Sequence, residues 1–524
     1  MRRRGADLRH LAPTLVAATF AVGYLIASPP SFDLAAHLLR AKLFATEGFG
    51  IWNLWWYGGH HVPGYSVLFP PVAAAIGPQL AACIAATATA ALFEPLARRH
   101  FGERAWLGSI WFAAAAATNL FTGRLTFAFG LLPAIATALA LQRRRPGFAC
   151  AAAFLTALSS PVAALFAALA GAAYGIAHER SPKRAAWGVA VAAAALLPVL
   201  ALSVAFPEGG VEPFALGTLL PIVAIGAAAL AALPRRELTL RAGVVLYVLG
   251  CLAAYLLSTP VGSNAARLAP LVAGPLAALL WWPRRKVLLL GAALPLLYVQ
   301  WQAPVRDVRT SAADPAISAA YYRPVISFLE HQTGPPFRVE IPFTSFHWEA
   351  YQVAPLFPLA RGWERQLDIR YNRLFYDGSL TAATYQTWLH QLAVRFVAVS
   401  DADLDYSARR ETALIDRGLP YLRLVFRSAH WRVYAVARPV PMVQGPAVVT
   451  GQGPNWLTLS VTHPGSLLLH VHFTPYWALE GLPGCVARDG EFTRLRVDRP
   501  GLARISIAFA LGRIGAENPR CTAR

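Results

Sequence analysis

The segment between residues 29 and 77 follows a long apolar run and is dense in side chains that could do chemistry. Asp33 and His37 are four residues apart, so on a helix their side chains lie on one face and can share a ligand or a proton. A carboxylate in this position can act as a general base toward a hydroxyl group, or it can hold a divalent cation. We therefore predict Asp33 and His37 as catalytic residues acting on a polar substrate at a membrane surface.

The same segment contains groups suited to binding a phosphorylated sugar. Its arginine and histidine side chains can hold a phosphate through charge and hydrogen bonds. Its tryptophan and tyrosine rings offer flat apolar faces of the kind on which sugar rings stack. The predicted substrate-binding residues of this segment are Arg40, Trp56, Tyr57, His60, His61 and Tyr65.

An alternative explanation of this segment needs no chemistry. Residues 34–43 can form an amphipathic helix that lies in the membrane interface. The aromatic residues that follow would then form a belt at the lipid headgroups. From the sequence, both explanations stay open.

The composition is that of a membrane protein that crosses the bilayer several times. The chain of 524 residues is 56% hydrophobic and 14% charged, whereas soluble domains are about a quarter charged. The net charge of +20 comes largely from short basic clusters between apolar runs. Such clusters orient membrane proteins by the positive-inside rule, so we predict a lipid bilayer and no nucleic acid as partner.

The apolar runs predict about eleven transmembrane helices and a plasma-membrane location. Two of them, 147–159 and 161–177, are short, but counting both as crossings places every basic cluster on one face. The N-terminus is then cytoplasmic and the C-terminus outside, provided that the first run is not removed as a signal peptide. The predicted spans are 11–28, 67–97, 105–121, 125–142, 147–159, 161–177, 185–205, 213–233, 241–258, 264–282 and 287–302.

Beyond the transmembrane domain 1–302, the sequence alternates between apolar and polar residues, as strands do. We predict an exported α+β domain over 303–444 and an exported β-sandwich-like domain over 445–524. Cys485 and Cys521 lie in this region and could pair if it is exported. Predicted strands are 337–341, 394–399, 430–436, 457–461 and 466–473, and predicted helices are 324–331, 380–392 and 407–417.

Two arginines, Arg124 and Arg267, lie on the outer face in this topology, against the positive-inside trend. Each could extend its side chain to lipid headgroups. Each could also bind the phosphate of a lipid-linked donor. Because both lie on the same face as the Asp33 segment, we count them among the predicted substrate-binding residues.

The polytopic layout, the acid just after the first span and the soluble C-terminal region resemble the GT-C class of integral-membrane glycosyltransferases. The resemblance implies a polyprenyl-phosphate-sugar donor, with Asp33 as catalytic base or metal ligand. A second outer-loop acid, common in that class, has only Glu208 and Glu212 as candidates. The matching motifs are Pro30-x-x-Asp33-x-x-x-His37, Trp56-Tyr57-Gly58-Gly59-His60, Pro63-Gly64-Tyr65 and Phe69-Pro70-Pro71.

The expected function is therefore sugar transfer from a lipid-phosphate-linked donor to an envelope glycan or lipid acceptor at the outer membrane face. A non-catalytic envelope-assembly protein that binds a glycan or a partner is the first alternative. A transporter or lipid flippase is the second, although the sequence has neither internal repeats nor the charged mid-membrane helices usual for transporters. Cysteines and histidines have no zinc-site spacing, so no metal ligands are predicted apart from the option of a divalent cation at Asp33.

Overall fold

The computed structural model describes residues 2–517, with side chains from residue 9, and the chain divides into two compact units. The helical unit contains residues up to Ala45, Gly64–Leu202 and Val211–Ala312. The C-terminal unit contains Thr46–Pro63, Ser203–Gly210 and the chain from Ala313 onward. The first loop is therefore shared between the units: Asp33 and His37 belong to the helical unit, and residues 46–63 belong to the C-terminal unit.

The helical unit is built from apolar helices whose ends are marked by proline and glycine. Proline occupies the first turn of several helices, where its missing N–H costs no helical hydrogen bond. The helices are α1 (Arg2–Ala27), α2 (Leu34–Glu47), α3 (Phe69–Ile76), α4 (Pro78–Phe101), α5 (Trp106–Phe121), α6 (Leu125–Gln142), α7 (Pro146–Ser159), α8 (Pro161–Ala177), α9 (Pro182–Ala205), α10 (Leu216–Ala232), α11 (Leu238–Leu256), α12 (Leu268–Trp281) and α13 (Lys286–Ser311).

Seven helical stretches among the described residues are long and apolar enough to cross a membrane, which indicates a membrane protein. One of them, Pro78–Phe121, comprises both α4 and α5, and three further apolar helices (α7, α8 and α10) are shorter. The predicted number of eleven spans is not confirmed, and it stays a prediction together with the membrane topology.

Small residues let these helices approach closely. At Gly171 of α8, an added Cβ would lie 2.8 Å from the carbonyl oxygen of Gly188 in α9. Ala167, Val191 and Ala195 extend the same buried contact. Packing of this kind is usual where lipid supplies no hydrophobic drive for helix association.

The first part of the C-terminal unit is a mixed sheet covered by helices. Its helices are α14 (Ala319–Glu330), α15 (Glu349–Gln352), α16 (Arg365–Tyr371), α17 (Ala382–Gln391) and α18 (Arg409–Asp416). A two-stranded hairpin, β1 (Trp52–Asn53) and β2 (His60–His61), belongs to the same unit. The sheet has the order β3-β4-β6-β5, with β3 (Arg338–Glu340) parallel to β4 (Val394–Ser400), and β5 (Leu422–Arg427) and β6 (Trp431–Val436) antiparallel.

The last part of the chain forms two four-stranded antiparallel sheets with one shared core. Alternate residues of each strand point inward, as Leu457, Leu459 and Val461 do in β9. The sheet orders are β12-β13-β10-β7 and β11-β14-β9-β8. The strands are β7 (Val443–Gln444), β8 (Ala447–Gln452), β9 (Trp456–Val461), β10 (Gly465–His472), β11 (Trp477–Glu480), β12 (Gly484–Asp489), β13 (Phe492–Val497) and β14 (Gly501–Ile507).

The cysteines divide between the two units. Cys83, Cys150 and Cys251 are free thiols in helices of the helical unit. Cys485 on β12 is disulfide-bonded. Cys521, its partner in the pairing considered from the sequence, lies outside the described residues.

Candidate functional site

Asp33 lies between α1 and α2, half-buried, and three arginines of the helical unit act on its charge. Arg40 is on α2, Arg124 immediately precedes α6, and Arg267 ends the 3-10 turn before α12. Burial raises the pKa of Asp33, and the three guanidinium groups oppose that shift without reversing it. The helical unit thus brings together four residues that the sequence predicted for one site.

A tight turn between α5 and α6 positions Arg124. Gly123 in this turn has φ +73°, a conformation that favours glycine, and an added Cβ would collide with the side chain of Ser31. The turn therefore packs directly on the chain just before Asp33. Burial, and then the charge of Arg267, lower the pKa of Arg124 to about 10, so this guanidinium is charged at neutral pH.

His37 fixes α2 against the same turn. Its Nε2–H donates a hydrogen bond to the carbonyl oxygen of Gly123 (3.0 Å), and its Nδ1 lies 3.2 Å from the hydroxyl of Thr126. Burial, and then the charge of Arg40, lower the pKa of His37 to about 3. A neutral ring with both nitrogens engaged holds the backbone in place, and this geometry does not support the catalytic part predicted for His37.

Tyr65 contacts the cluster through Arg40. The guanidinium carbon of Arg40 lies 3.6 Å from the centroid of the Tyr65 ring, a cation–π contact. The ring of His37 is 5.9 Å from that of Tyr65 and 5.3 Å from that of Phe69. Tyr65 therefore orients an arginine, and one face of its ring is already occupied.

Asp307 is a second carboxylate at this site that the sequence analysis missed. It is 5% exposed on α13 and interacts electrostatically with Asp33 and Arg124. Its nearest partner is Arg306, whose Nη2 lies 3.1 Å from Oδ1. The apolar run ends near residue 302, but the helix continues to Ser311, and this continuation brings Asp307 into the helical unit.

Positive charge exceeds negative charge in this cluster. Four guanidinium groups accompany two carboxylates, and no ion pair within the described residues joins Asp33 to Arg124 or Arg267. Such an arrangement suits an anion, because a phosphate can accept hydrogen bonds from several guanidinium groups at once. We call this set the Asp33 cluster: Asp33, Arg40, Arg124, Arg267, Arg306 and Asp307.

The other predicted substrate-binding residues belong to the C-terminal unit and are buried there. The ring of Trp56 stacks on His60 (5.6 Å between centroids), and the hydroxyl of Tyr57 donates to the backbone oxygen of Glu364. Trp56, Tyr57 and His60 are each at most 1% exposed. These rings form core contacts in the structure, and the stacking of a sugar on Trp56 and Tyr57 and phosphate binding by His60 stay predictions.

The burial of the first loop also differs from what the interfacial explanation requires. Most residues of α2 are buried, including Leu34, Leu39 and Leu43, so the helix does not lie with one face in lipid. The aromatic residues that would form a headgroup belt are packed inside the C-terminal unit.

His61 and Glu208 are hydrogen-bonded to each other in the C-terminal unit. The Nδ1 of His61 lies 2.8 Å from Oε1 of Glu208, and its Nε2 lies 3.1 Å from the hydroxyl of Thr474. The other outer-loop acid, Glu212, belongs to the helical unit and accepts a hydrogen bond from Ser263 (2.8 Å). Neither acid is among the groups that act on the charge of Asp33.

The charged segments 346–349 and 361–368 form an internal network of the C-terminal unit. Arg361 is 1% exposed; its Nη2 lies 2.6 Å from Asp368, and its Nη1 lies 3.2 Å from Glu411. The rings of Phe343 and Phe375 enclose its guanidinium group, each centroid 4.0 Å away. This network stabilises the core and leaves no surface for a ligand at Arg361.

Within the described residues, no three His, Cys, Asp or Glu side chains are grouped to hold a metal ion. The divalent cation at Asp33 stays a prediction. No protein-family model and no curated protein matches the chain. The function is therefore inferred from the chemistry of the Asp33 cluster.

Proposed function

We propose that this protein is a membrane glycosyltransferase that transfers a sugar from a lipid-phosphate-linked donor to a cell-envelope acceptor at the outer membrane face. The supporting observation is the Asp33 cluster, in which the half-buried Asp33 and the buried Asp307 are accompanied by guanidinium groups in excess. The seven candidate spans agree with a substrate that reaches the site from the bilayer. The GT-C-like fold with eleven spans and an exported C-terminal region belongs to this proposal.

In the proposed reaction, Arg124 and Arg267 bind the phosphate of the donor. Both side chains are half-buried, where electrostatic interactions are stronger than in bulk water. The phosphate gains negative charge as the sugar departs, and fixed cations stabilise that charge without reorganising. Arg40, held by Tyr65, adds a third cation.

Asp33 is the proposed general base. Its carboxylate accepts the proton of the acceptor hydroxyl while the acceptor oxygen forms the new bond to the anomeric carbon. The bond between that carbon and the phosphate oxygen breaks, and the lipid phosphate leaves with the electron pair. The raised pKa of Asp33 makes its carboxylate a stronger base than an exposed aspartate.

The test is the variant Asp33→Asn, with Glu212→Gln as the matched control. Both substitutions neutralise an acid of the helical unit, but Glu212 accepts a hydrogen bond from Ser263 and does not belong to the Asp33 cluster. We expect Asp33→Asn to abolish release of free polyprenyl phosphate from a polyprenyl-phosphate-sugar donor and to remove the envelope glycan in cells. Glu212→Gln keeps both activities.

Correct insertion is verified by membrane extraction and by thermal unfolding of the purified variants. An Asp33→Asn protein that is folded and still modifies the envelope would exclude the proposed base. If deletion of the wild-type protein leaves the envelope glycans unchanged, this result favours the non-catalytic assembly function.

A further inference from the structure

A cleft of ≈ 310 Å³ lies within the C-terminal unit, and none of the residues that line it belongs to the Asp33 cluster. Distant parts of the chain form it: the β1–β2 hairpin, the segment Ser203–Gly210, the end of α16 and the end of β10. Its volume is at the lower end of the range for small-molecule sites, so it suits one small ligand.

Glu208 provides a fixed acceptor in the wall of this cleft. Its Oε1 accepts from His61 Nδ1 (2.8 Å) and from the His61 backbone N–H, and its Oε2 accepts from the hydroxyl of Tyr371 (3.1 Å). Burial raises the pKa of Glu208, but the hydrogen bonds from His61 outweigh burial and the net shift is downward. Glu208 is therefore an oriented carboxylate at neutral pH.

His472 provides a second acceptor of a different kind. Its Nδ1–H donates to the backbone oxygen of Gly59 (3.1 Å), and its ring stacks on that of Tyr371 (4.2 Å between centroids). Burial lowers the pKa of His472 to about 4, so the ring is neutral. Its Nε2 receives no hydrogen bond from the described residues and can accept one from a ligand.

The rim of the cleft is charged but balanced. Two exposed arginines, Arg370 and Arg488, and two exposed glutamates, Glu491 and Glu517, line the rim. Arg370 donates one hydrogen bond to the backbone oxygen of Pro207 (3.3 Å) and has further N–H groups for a ligand. Because the charges cancel, the rim does not select a strongly anionic or cationic ligand.

We infer that this cleft binds a single neutral sugar unit of hexose size. Hydroxyl groups both donate and accept, so they match the acceptors Glu208 and His472 and the donor Arg370. The half-buried ring of Tyr371 also lines the wall and can contact the C–H groups of a pyranose. No residue of the Asp33 cluster lines the cleft, so this binding does not depend on the proposed transfer reaction.

The experiment is calorimetric titration of the full chain in lipid nanodiscs with the methyl glycosides of glucose, galactose, mannose and N-acetylglucosamine. Inorganic phosphate is the charged comparison. We expect at least one methyl glycoside to bind and phosphate not to compete with it. We expect His472→Gln and Arg370→Gln each to weaken binding about tenfold through loss of a hydrogen bond to the sugar.

His463→Gln is the matched control, because His463 is exposed on the same unit and does not line the cleft. It retains wild-type affinity, and so does Asp33→Asn, which separates this site from the Asp33 cluster. Arg370 is exposed, so its variant is informative even if His472→Gln unfolds. The inference is overturned if no methyl glycoside binds, if phosphate displaces the sugar, or if a folded Arg370→Gln protein binds as tightly as wild type.

Discussion

The Nε2–H of His37 donates a hydrogen bond to the carbonyl oxygen of Gly123, 86 residues further along the chain, at 3.0 Å. This bond ties the helix that follows Asp33 to the turn that precedes Arg124. The neutral side chain of His37 therefore fixes Asp33 relative to Arg124 and need not touch a substrate. His37 is a positioning residue in the proposed reaction.

We predict that His37→Leu destabilises the protein by about 2 kcal/mol, the sum of two ordinary hydrogen bonds, to Gly123 and Thr126. Transfer activity falls with it, because Asp33 and Arg124 lose their alignment. His37→Gln restores most of both, since its amide can still donate to Gly123. Thermal unfolding and a pH–activity profile make the measurement.

The pH profile separates positioning from acid–base work. A neutral ring contributes no proton, so the acid limb of the profile keeps its midpoint in both His37 variants. A midpoint that moves when His37 is replaced would show that the imidazole titrates during the reaction.

Arg267 should set the pH at which Asp33 becomes a base. Its guanidinium is the strongest of the charges that oppose the burial-raised pKa of Asp33. Arg267→Gln removes this support for the anion, so the pKa of Asp33 rises further. Asp33 acts as a base only when it is deprotonated. As the pH is lowered, the variant therefore loses activity at a higher pH than wild type does.

The comparison for Arg267 is Arg309→Gln, an exposed arginine of α13 that does not act on Asp33. Both variants lose one positive charge, but only Arg267→Gln moves the acid limb. Equal midpoints in the two variants would mean that the acid limb belongs to a group other than Asp33.

The sequence predicted the C-terminal strands well because their alternation is local. The strand predicted over 394–399 is β4 (Val394–Ser400), and that over 457–461 is β9 (Trp456–Val461). In a strand with one buried face, apolar and polar residues alternate along the chain, so neighbouring residues alone reveal it. The helix predicted over 380–392 is α17 (Ala382–Gln391), which begins with a capping box at Thr381.

The candidate site was only partly predictable because its spatial neighbours are distant in sequence. Asp33, Arg124 and Arg267 were chosen from charge and topology, and they do interact. Trp56 and Tyr57 were predicted from their flat aromatic rings in the same loop as Asp33, but the chain enters the other unit at Thr46. Asp307 was missed because hydropathy falls before α13 ends.

Membrane topology is tested by a pair of cysteine substitutions. His463 in the C-terminal unit and Arg236 between α10 and α11 are both exposed, and the predicted topology places them on opposite sides. A membrane-impermeant maleimide should label His463→Cys in intact cells and label Arg236→Cys only after permeabilisation. The unsubstituted chain gives the background labelling of its free thiols, of which Cys83 and Cys251 are buried and Cys150 is half-buried. Labelling of Arg236→Cys in intact cells would invert the orientation and remove the proposed outer site.

Glu340 should make the C-terminal unit less stable as the pH rises. It is fully buried on β3, and burial, followed by the negative charge of Glu411, raises the pKa of Glu340 well above its ordinary range. The folded state keeps a proton that the unfolded chain releases above about pH 4.5. Stability is therefore greatest below that pH and falls above it, by up to about 1.4 kcal/mol per pH unit for one proton.

The variant Glu340→Gln keeps the shape of the side chain and removes the titration. We expect it to match wild type near pH 5 and to unfold at a higher temperature than wild type near pH 8, because the amide stays neutral at no cost. Glu330→Gln, an exposed acid at the end of α14, is the control and changes neither value. The prediction is wrong if the stability difference between Glu340→Gln and wild type is the same at both pH values. Glu340 would then be ionised in the folded protein, and Arg361 would compensate the charges of Glu340 and Glu411 in addition to that of Asp368.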